Sequence, residues 1–397
     1  LDAIIISHAH LDHVGALPFL YERGYNGPVY MTAPTRDIMV MLCLDYLDIM
    51  QKEGKTAPYS TKGIREAVRH SITLDYGEVS DITPDIRLTL GNAGHILGSS
   101  LIHLHIGNGL HNILYTGDFK FDRTALYDPA VTGFPRVETL ITESTYGAAE
   151  DKQPKREEAE NMLVEIVKKT IEKKGKVLIP SFAVERAQDV IVILSKAGID
   201  VPIYLDGMLW DATAIHTAYP EFLKKELQKE ILAENKNPFL MENLKRIGSQ
   251  SERDEVLASK KPCVILATSG MLIGGPVMSY LAGIVENKKN ALVFVSYQAE
   301  NTLGRKIQKG WREVPVVEDG KTYAVPIKCE VTSIPGLSGH SDRTQLMNYV
   351  GHLKQKPQRV FCIHGESEKC LDLARSIHRT YDCETYALRT LDALRLV

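Results

Sequence analysis

A chain of 397 residues, 44% hydrophobic and 24% charged, is long enough for two or three domains with sizeable cores. A formal net charge of −3 excludes a bulk basic field, so an anionic substrate would have to be held by a local site or by metal ions. Scattered cysteines at 43, 263, 329, 362, 370 and 383 exclude a disulfide framework and fit a reducing cytosol, and no apolar run is long enough to cross a bilayer. A cytoplasmic protein with no membrane partner is therefore expected.

In chain order, an apolar run at 3–6 predicts a strand, and His8-Ala-His10-Leu-Asp12-His13 follows it directly. A strand that ends in such a turn aims several ligands at one point. Neutral imidazoles with a carboxylate suit zinc or a similar borderline ion. One His-X-His pair is commonplace, but the whole string after a β-branched run marks a metal site. The motif begins within eight residues of Leu1, before partner strands are supplied, so the chain is expected to be a fragment of a longer protein.

Period-two and continuous apolar runs predict further strands at 86–90, 101–106, 112–115, 139–141, 176–179, 201–204, 264–267, 291–295, 325–331 and 359–363. Helical periodicity is clearest at 155–173, 187–197 and 341–353, the last opened by Ser341 and Asp342 as N-cap candidates. The alternation predicts an α/β protein. A polar shift over 148–162 reads as a domain boundary, and 317–322 reads as a turn. Between them no dense ligand cluster occurs, so one domain is expected to be inserted into another.

More ligand-type residues stand where strands run into loops. His95 sits in a glycine-flanked loop, Asp118 follows the strand at 112–115, and His364 follows the strand at 359–363. Each alone is a weak signal, but their shared position makes convergence on His8–His13 plausible. His103 and His105 also spell His-X-His. They alternate along a continuing strand with no Asp-His after them, and they are read as a strand face near the site but outside it.

The set His8, His10, Asp12, His13, His95 and Asp118 resembles the metallo-β-lactamase superfamily. Ile141-Thr-Glu143-Ser-Thr-Tyr-Gly147, Leu337-Ser-Gly-His340-Ser-Asp342 and the segment 360–366 with His364 are similar to the diagnostic motifs of its β-CASP nucleases. Pro180-Ser-Phe-Ala-Val-Glu-Arg-Ala-Gln188 and Ala267-Thr-Ser-Gly-Met-Leu272 match that group's inserted domain. The tail 388–397 looks closest to the archaeal relatives of the endonuclease subunit of the cleavage and polyadenylation specificity factor. In that branch KH domains precede the catalytic part, and here they would be absent.

The resemblance implies an αββα sandwich, N-terminally truncated, at 1–147 and 332–397, with an inserted α/β domain at 148–331. It assigns His8, His10 and His95 to one Zn²⁺ and Asp12, His13 and His364 to a second, with Asp118 bridging. Two metals about 4 Å apart can lower the pKa of a shared water and clamp the oxygens of a phosphodiester. His340 is then the candidate general acid, paired with Glu143, and Asp12 is placed with them in the catalytic set. Ser269 and Gly270 are expected to approach RNA phosphates through an unhindered backbone. Arg186 is a further candidate for that role, or else an ordinary helix-surface arginine.

The implied activity is a zinc-dependent ribonuclease in RNA 3′-end formation and transcription termination. It would act as an endonuclease, with 5′-to-3′ exonuclease action open at the same site. The implied partners are single-stranded RNA, a second copy bound through the C-terminal segment, and the RNA polymerase machinery. Two other readings stand beside it: a metal-dependent small-molecule hydrolase of lactamase or glyoxalase type, and a non-catalytic RNA-binding scaffold.

Overall fold

The computed structural model describes residues 1–318 and 321–396. The tip of the expected turn at 317–322 and the last residue of the C-terminal tail lie outside the described residues. The chain divides into two compact units. The first comprises residues 1–123, 127–152 and 339–397; the second comprises 124–126 and 153–338. Both are mixed α/β, the class expected from the alternation of periods. No helix among the described residues is long and apolar enough to cross a membrane.

The first unit is built on a seven-stranded sheet and a three-stranded one. The long sheet runs in the order Glu384–Ala387, Arg359–Ile363, Thr139–Glu143, His111–Tyr115, Ser100–Ile106, Ile86–Asn92 and Val79–Thr83. Arg359–Ile363, Thr139–Glu143 and His111–Tyr115 pair in parallel. Ile86–Asn92 is reached through two antiparallel pairings, so it points the same way. The C-terminal ends of these four strands therefore share one edge of the sheet, and His95, Asp118, Glu143 and His364 all stand at or just past those ends.

The short sheet pairs Ile4–Ile5, Val29–Met31 and Ser71–Thr73 in parallel. Tyr30 from the short sheet packs with Leu88, Leu90 and Ile102 from the long one, with Ile5 beside them, and this apolar cluster joins the two sheets. The long sheet's other face packs Leu101, Leu114, Leu140 and Val360 against Tyr349 of helix Arg343–His352 and Leu373 of helix Ser367–Tyr381. Burying such side chains is the main term holding the unit together, at about 1.5–3 kcal/mol each. Asp342 caps helix Arg343–His352 in a reciprocal capping box with Gln345.

The second unit is a six-stranded, all-parallel sheet in the order Leu244–Ile247, Ile203–Asp206, Cys263–Ala267, Lys176–Pro180, Ala291–Phe294 and Glu330–Ser333. Its two middle strands, Cys263–Ala267 and Lys176–Pro180, are buried at every position. They read as continuous apolar runs because both faces of a parallel sheet are covered. The strand expected at 325–331 is two strands instead. Lys321–Pro326 pairs antiparallel with Glu313–Glu318, and Glu330–Ser333 joins the sheet. The break falls where the Lys328 and Cys329 N–H groups both donate to Val285 O, which turns the chain out of the hairpin.

Candidate metal centre

The ligand loop is fixed at both ends. Ser7 O accepts bonds from Ser100 N and Ser100 Oγ, at 2.7 and 3.1 Å, which tie the loop to the start of strand Ser100–Ile106. The loop then closes into one helical turn, Leu11–Val14, with His10 at its N-cap. That turn gathers His8, His10, Asp12 and His13 beside the shared sheet edge.

His95 is placed by a tight turn. Gly98 has φ of +75°, and a Cβ there would lie 2.5 Å from both Thr32 Oγ1 and Pro34 Cγ, so only glycine fits. Ser99 Oγ accepts the His95 and Ile96 N–H groups, and the Thr32 and Thr35 hydroxyls donate to Gly98 O. His95 Nδ1 lies 2.8 Å from Gly339 O. A carbonyl only accepts, so Nδ1 carries the proton and Nε2 keeps its lone pair, as an orienting bond of this kind does for a ligating imidazole.

Asp118 sits between two groups of ligand atoms. Its Oδ2 is 3.5 Å from His8 Nε2, 3.3 Å from His13 Nε2 and 3.8 Å from His95 Nε2, and its Oδ1 is 3.0 Å from His364 Nδ1. His95 Nε2 and His10 Nδ1 are 3.2 Å apart. On the other side, Asp12 Oδ2 is 3.3 Å from His364 Nε2 and 3.6 Å from His13 Nε2. The structure thus brings together His8, His10, His95 and Asp118 in one group and Asp12, His13 and His364 in another, with the donor atoms of each group within 4.8 Å of one another.

Three buried atoms at this point, His8 Nε2, His13 Nε2 and Asp118 Oδ1, have no partner in hydrogen-bonding geometry among the described residues. An unsatisfied buried polar atom costs about 1–3 kcal/mol, and three around one point are accounted for by a cation. The donors are imidazole nitrogens and carboxylate oxygens with no thiolate, a set that fits zinc or a similar ion.

The protonation states of most of these groups suit that use; His364, raised by its bond to Asp12, is the exception. Burial holds His8 and His95 well below the ordinary imidazole range and brings His10 to about 4. The hydrogen bond from His364 lowers Asp12 to about 2. Burial works against the Asp118 charge, but the His13 imidazole 3.3 Å away and the other nearby imidazoles outweigh it and keep the carboxyl ionised. Neutral imidazoles and ionised carboxylates are the forms that bind metal.

Beside these groups His340 Nδ1 stands 2.9 Å from Glu143 Oε2, and Glu143 Oε1 accepts the Phe119 N–H. Burial disfavours the imidazolium, but the Glu143 carboxylate prevails and raises His340 to about 9. The His340 loop is pinned from below. Ser341 Oγ donates to Phe119 O and accepts the Phe121 N–H, and Lys120 Nζ donates to His340 O at 2.9 Å. Of the two N-cap candidates, Asp342 caps helix Arg343–His352 and Ser341 joins two loops instead. Lys120 and Ser99 carry no spacing signal that marks them in the sequence.

The remaining expected residues lie elsewhere. His103 bonds Arg136 O and His105 bonds Asn112 Oδ1, and neither joins a ligand group. Ser269, Gly270 and Arg186 belong to the second unit. Ser269 Oγ donates to Gly274 O and accepts the Ile273 N–H, and Gln298 donates to Gly270 O, so this loop is held by its own polar groups. Arg186 is a correction to the helix-surface reading. It is buried, with Glu185 at 3.0 Å and Asp189 at 3.4 Å, because its helix is covered on nearly every side and Asp189 lies one turn on.

Comparison with known proteins matches three stretches of the chain to known domains, with Glu143 and Arg186 falling between the first and the second. Residues 1–139 match the metallo-beta-lactamase superfamily domain, 187–307 the Beta-Casp domain, and 324–388 the Zn-dependent metallo-hydrolase RNA specificity domain. The chain is 54% identical over 401 residues to transcription termination factor FttA of Methanocaldococcus jannaschii, covering all of this chain and 63% of the relative. It is 54% identical to the protein of that name from Thermococcus kodakarensis, covering 62% of it, and 48% identical to the one from Lokiarchaeum, covering 63%. The chain thus spans less than two thirds of the length of these relatives.

Proposed function

Because the chain belongs to the β-CASP group of the metallo-β-lactamase superfamily, we propose that it is a zinc-dependent ribonuclease that hydrolyses phosphodiester bonds of single-stranded RNA. The observation that carries this reading is the His340–Glu143 pair, 2.9 Å apart, beside two ligand groups that meet at Asp118. His8, His10 and His95 would hold one zinc, Asp12, His13 and His364 the other, and Asp118 would face both. When bound, the two ions would supply an activated water and stabilise charge on the phosphodiester.

His340 is assigned the proton. Glu143 accepts from Nδ1, which leaves Nε2 as the nitrogen that gives a proton to the departing 3′-oxygen. Glu143 is itself fixed by the Phe119 N–H, so the imidazole keeps its orientation. Ser269 and Gly270 are proposed as backbone contacts to RNA; Arg186, buried against two carboxylates, is left out of that set.

The relatives are named for transcription termination, which supports nascent RNA as the substrate, with 3′-end formation as the outcome and the polymerase machinery as a partner. Strand Glu384–Ala387 is an edge of the long sheet, and its open backbone supports pairing of two copies through the C-terminal segment.

Digestion of circular and of 5′-end-labelled RNA, each with and without a zinc chelator, tests the reading. Chelator-sensitive opening of the circle is expected, and loss of mononucleotides from the labelled end would add exonuclease action. No cleavage of either RNA, together with turnover of a thioester or a β-lactam, would replace it with the small-molecule reading.

A further inference from the structure

We propose that Trp311 and Tyr323, on the second unit, form a base-stacking platform for single-stranded RNA apart from the metal-ligand residues. The proposal rests on the reading of the chain as a protein that acts on RNA. Residues 308–323 fall between the Beta-Casp match, which ends at 307, and the RNA specificity match, which begins at 324.

The platform grows out of a helix end and a hairpin. Helix Leu303–Gln308 closes when Trp311 N donates to Lys306 O at 3.0 Å. Arg312 O then accepts the Ile327 N–H at 2.7 Å, which ties the segment to the base of the hairpin. Hairpin strands Glu313–Glu318 and Lys321–Pro326 pair Val314 with Val325 and Val316 with Tyr323. Val314 is fully buried and anchors the hairpin to the core of the second unit.

Onto this base the chain places two large aromatic side chains in water, Trp311 at 51% exposure and Tyr323 at 50%. The backbone contacts already hold the segment, so the indole is not needed to close it. Trp311, Arg312, Glu313, Val314, Thr322 and Tyr323 line one open cavity of about 510 Å³. That falls within the roughly 300–1,000 Å³ of small-molecule sites and is room for a nucleobase.

The surrounding charge selects the occupant. Lys306 Nζ lies 4.9 Å from the centre of the Trp311 ring, within cation–π range. Arg305 and Lys309 are both paired with Glu300, whereas Lys306 and Arg312 join no ion pair among the described residues. Glu313 is the one carboxylate among the lining residues. Exposed aromatic faces with cations beside them are what a single strand uses, its bases stacking while its phosphates meet the cations. The aliphatic part of this lining is small, Pro315 and Ala324 beside the fully buried Val314, which gives an apolar peptide little to match.

The chain has two tryptophans, so Trp210→Phe leaves Trp311 as the sole indole reporter. This variant, combined with His340→Ala and chelator to prevent cleavage, is titrated with an oligouridine of about 12 nucleotides, in the range of single-strand site sizes. The expected result is saturable quenching of the indole. Anisotropy of the same oligouridine carrying a fluorescent label, which needs no indole, should show binding weakened about tenfold in Trp311→Ala and recovered in Trp311→Phe, since stacking is worth about 1–3 kcal/mol per base. Lys306→Gln should reduce the salt dependence of binding. Unchanged affinity in Trp311→Ala, or saturation without any indole response, overturns the platform and leaves a protein-binding surface in its place. Cleavage by the parent is assayed separately. Quenching without cleavage would sink the ribonuclease reading and leave the platform standing, and cleavage with unchanged binding by Trp311→Ala would do the reverse.

Discussion

His340 Nδ1 stands 2.9 Å from Glu143 Oε2, and the other oxygen of the same buried carboxylate accepts the Phe119 N–H at 2.8 Å. One acidic side chain at the end of strand Thr139–Glu143 thus fixes both the charge and the direction of an imidazole 197 positions away. The Phe119 N–H belongs to the residue after Asp118, so the same bond ties the ligand loop to the acid.

That relationship sets a pH dependence. Burial alone would lower His340, and Glu143 raises it to about 9, so the imidazolium persists through neutral pH and is lost as pH rises past that value. In Glu143→Gln the proton would be lost at a much lower pH. Cleavage at pH 8 should fall by on the order of 10²–10⁴. The deficit should shrink as the pH is lowered and the imidazole regains its proton. A pH–rate profile checks this, and two parallel profiles separated by a constant factor would contradict it.

A second titration belongs to stability. His216 is fully buried on helix Leu209–Ala218, and burial lowers it to about 4 although its Nδ1 bonds Ala212 O. Between its ordinary value of about 6.5 and about 4, the unfolded chain takes up a proton that the native state refuses. The stabilisation is complete above about pH 6.5 and is lost as pH falls toward 4, by on the order of 3 kcal/mol. His216→Gln should flatten that slope. Urea unfolding followed by Trp210, on the same helix, measures it, and an unchanged slope would show that another group carries the dependence.

Asp189 is buried between two guanidiniums. Arg156 Nη2 and Arg186 Nη1 both approach its Oδ2, and its Oδ1 accepts the Ala125 N–H at 3.2 Å. Asp189→Ala would leave two buried cations without their shared partner and should cost about 3–5 kcal/mol. Replacing Arg156 and Arg186 by methionine in the same variant should recover much of that loss. Chemical denaturation of the three proteins decides the matter, and additive losses would mean the cluster is not one unit.

How much of this was legible in the sequence depends on how local each signal is. Asp118, His364 and the His8–His13 string follow apolar runs directly, so their place at strand ends could be read without a structure. Helix Ala33–Lys52 could not. Its buried side chains, Ile38, Met39, Leu42 and Cys43 among them, share the helix with further apolar residues around its girth, so no single stripe marks it. Lys120 looks like any loop lysine until the fold delivers His340 O to it across 220 positions. Arg186 failed in the opposite direction. Its charge suggested solvent, and the carboxylates that allow its burial, Glu185 and Asp189, are visible in the sequence only once the helix is known to be covered.

The most direct test of the account is to measure RNA cleavage and zinc content together in His340→Ala. His340 touches Glu143 but belongs to neither ligand group. Cleavage should be abolished while zinc stays at the parental content, near two ions per chain. Cleavage at the parental rate, or a loss of activity matched by a loss of zinc, would contradict the role assigned to it.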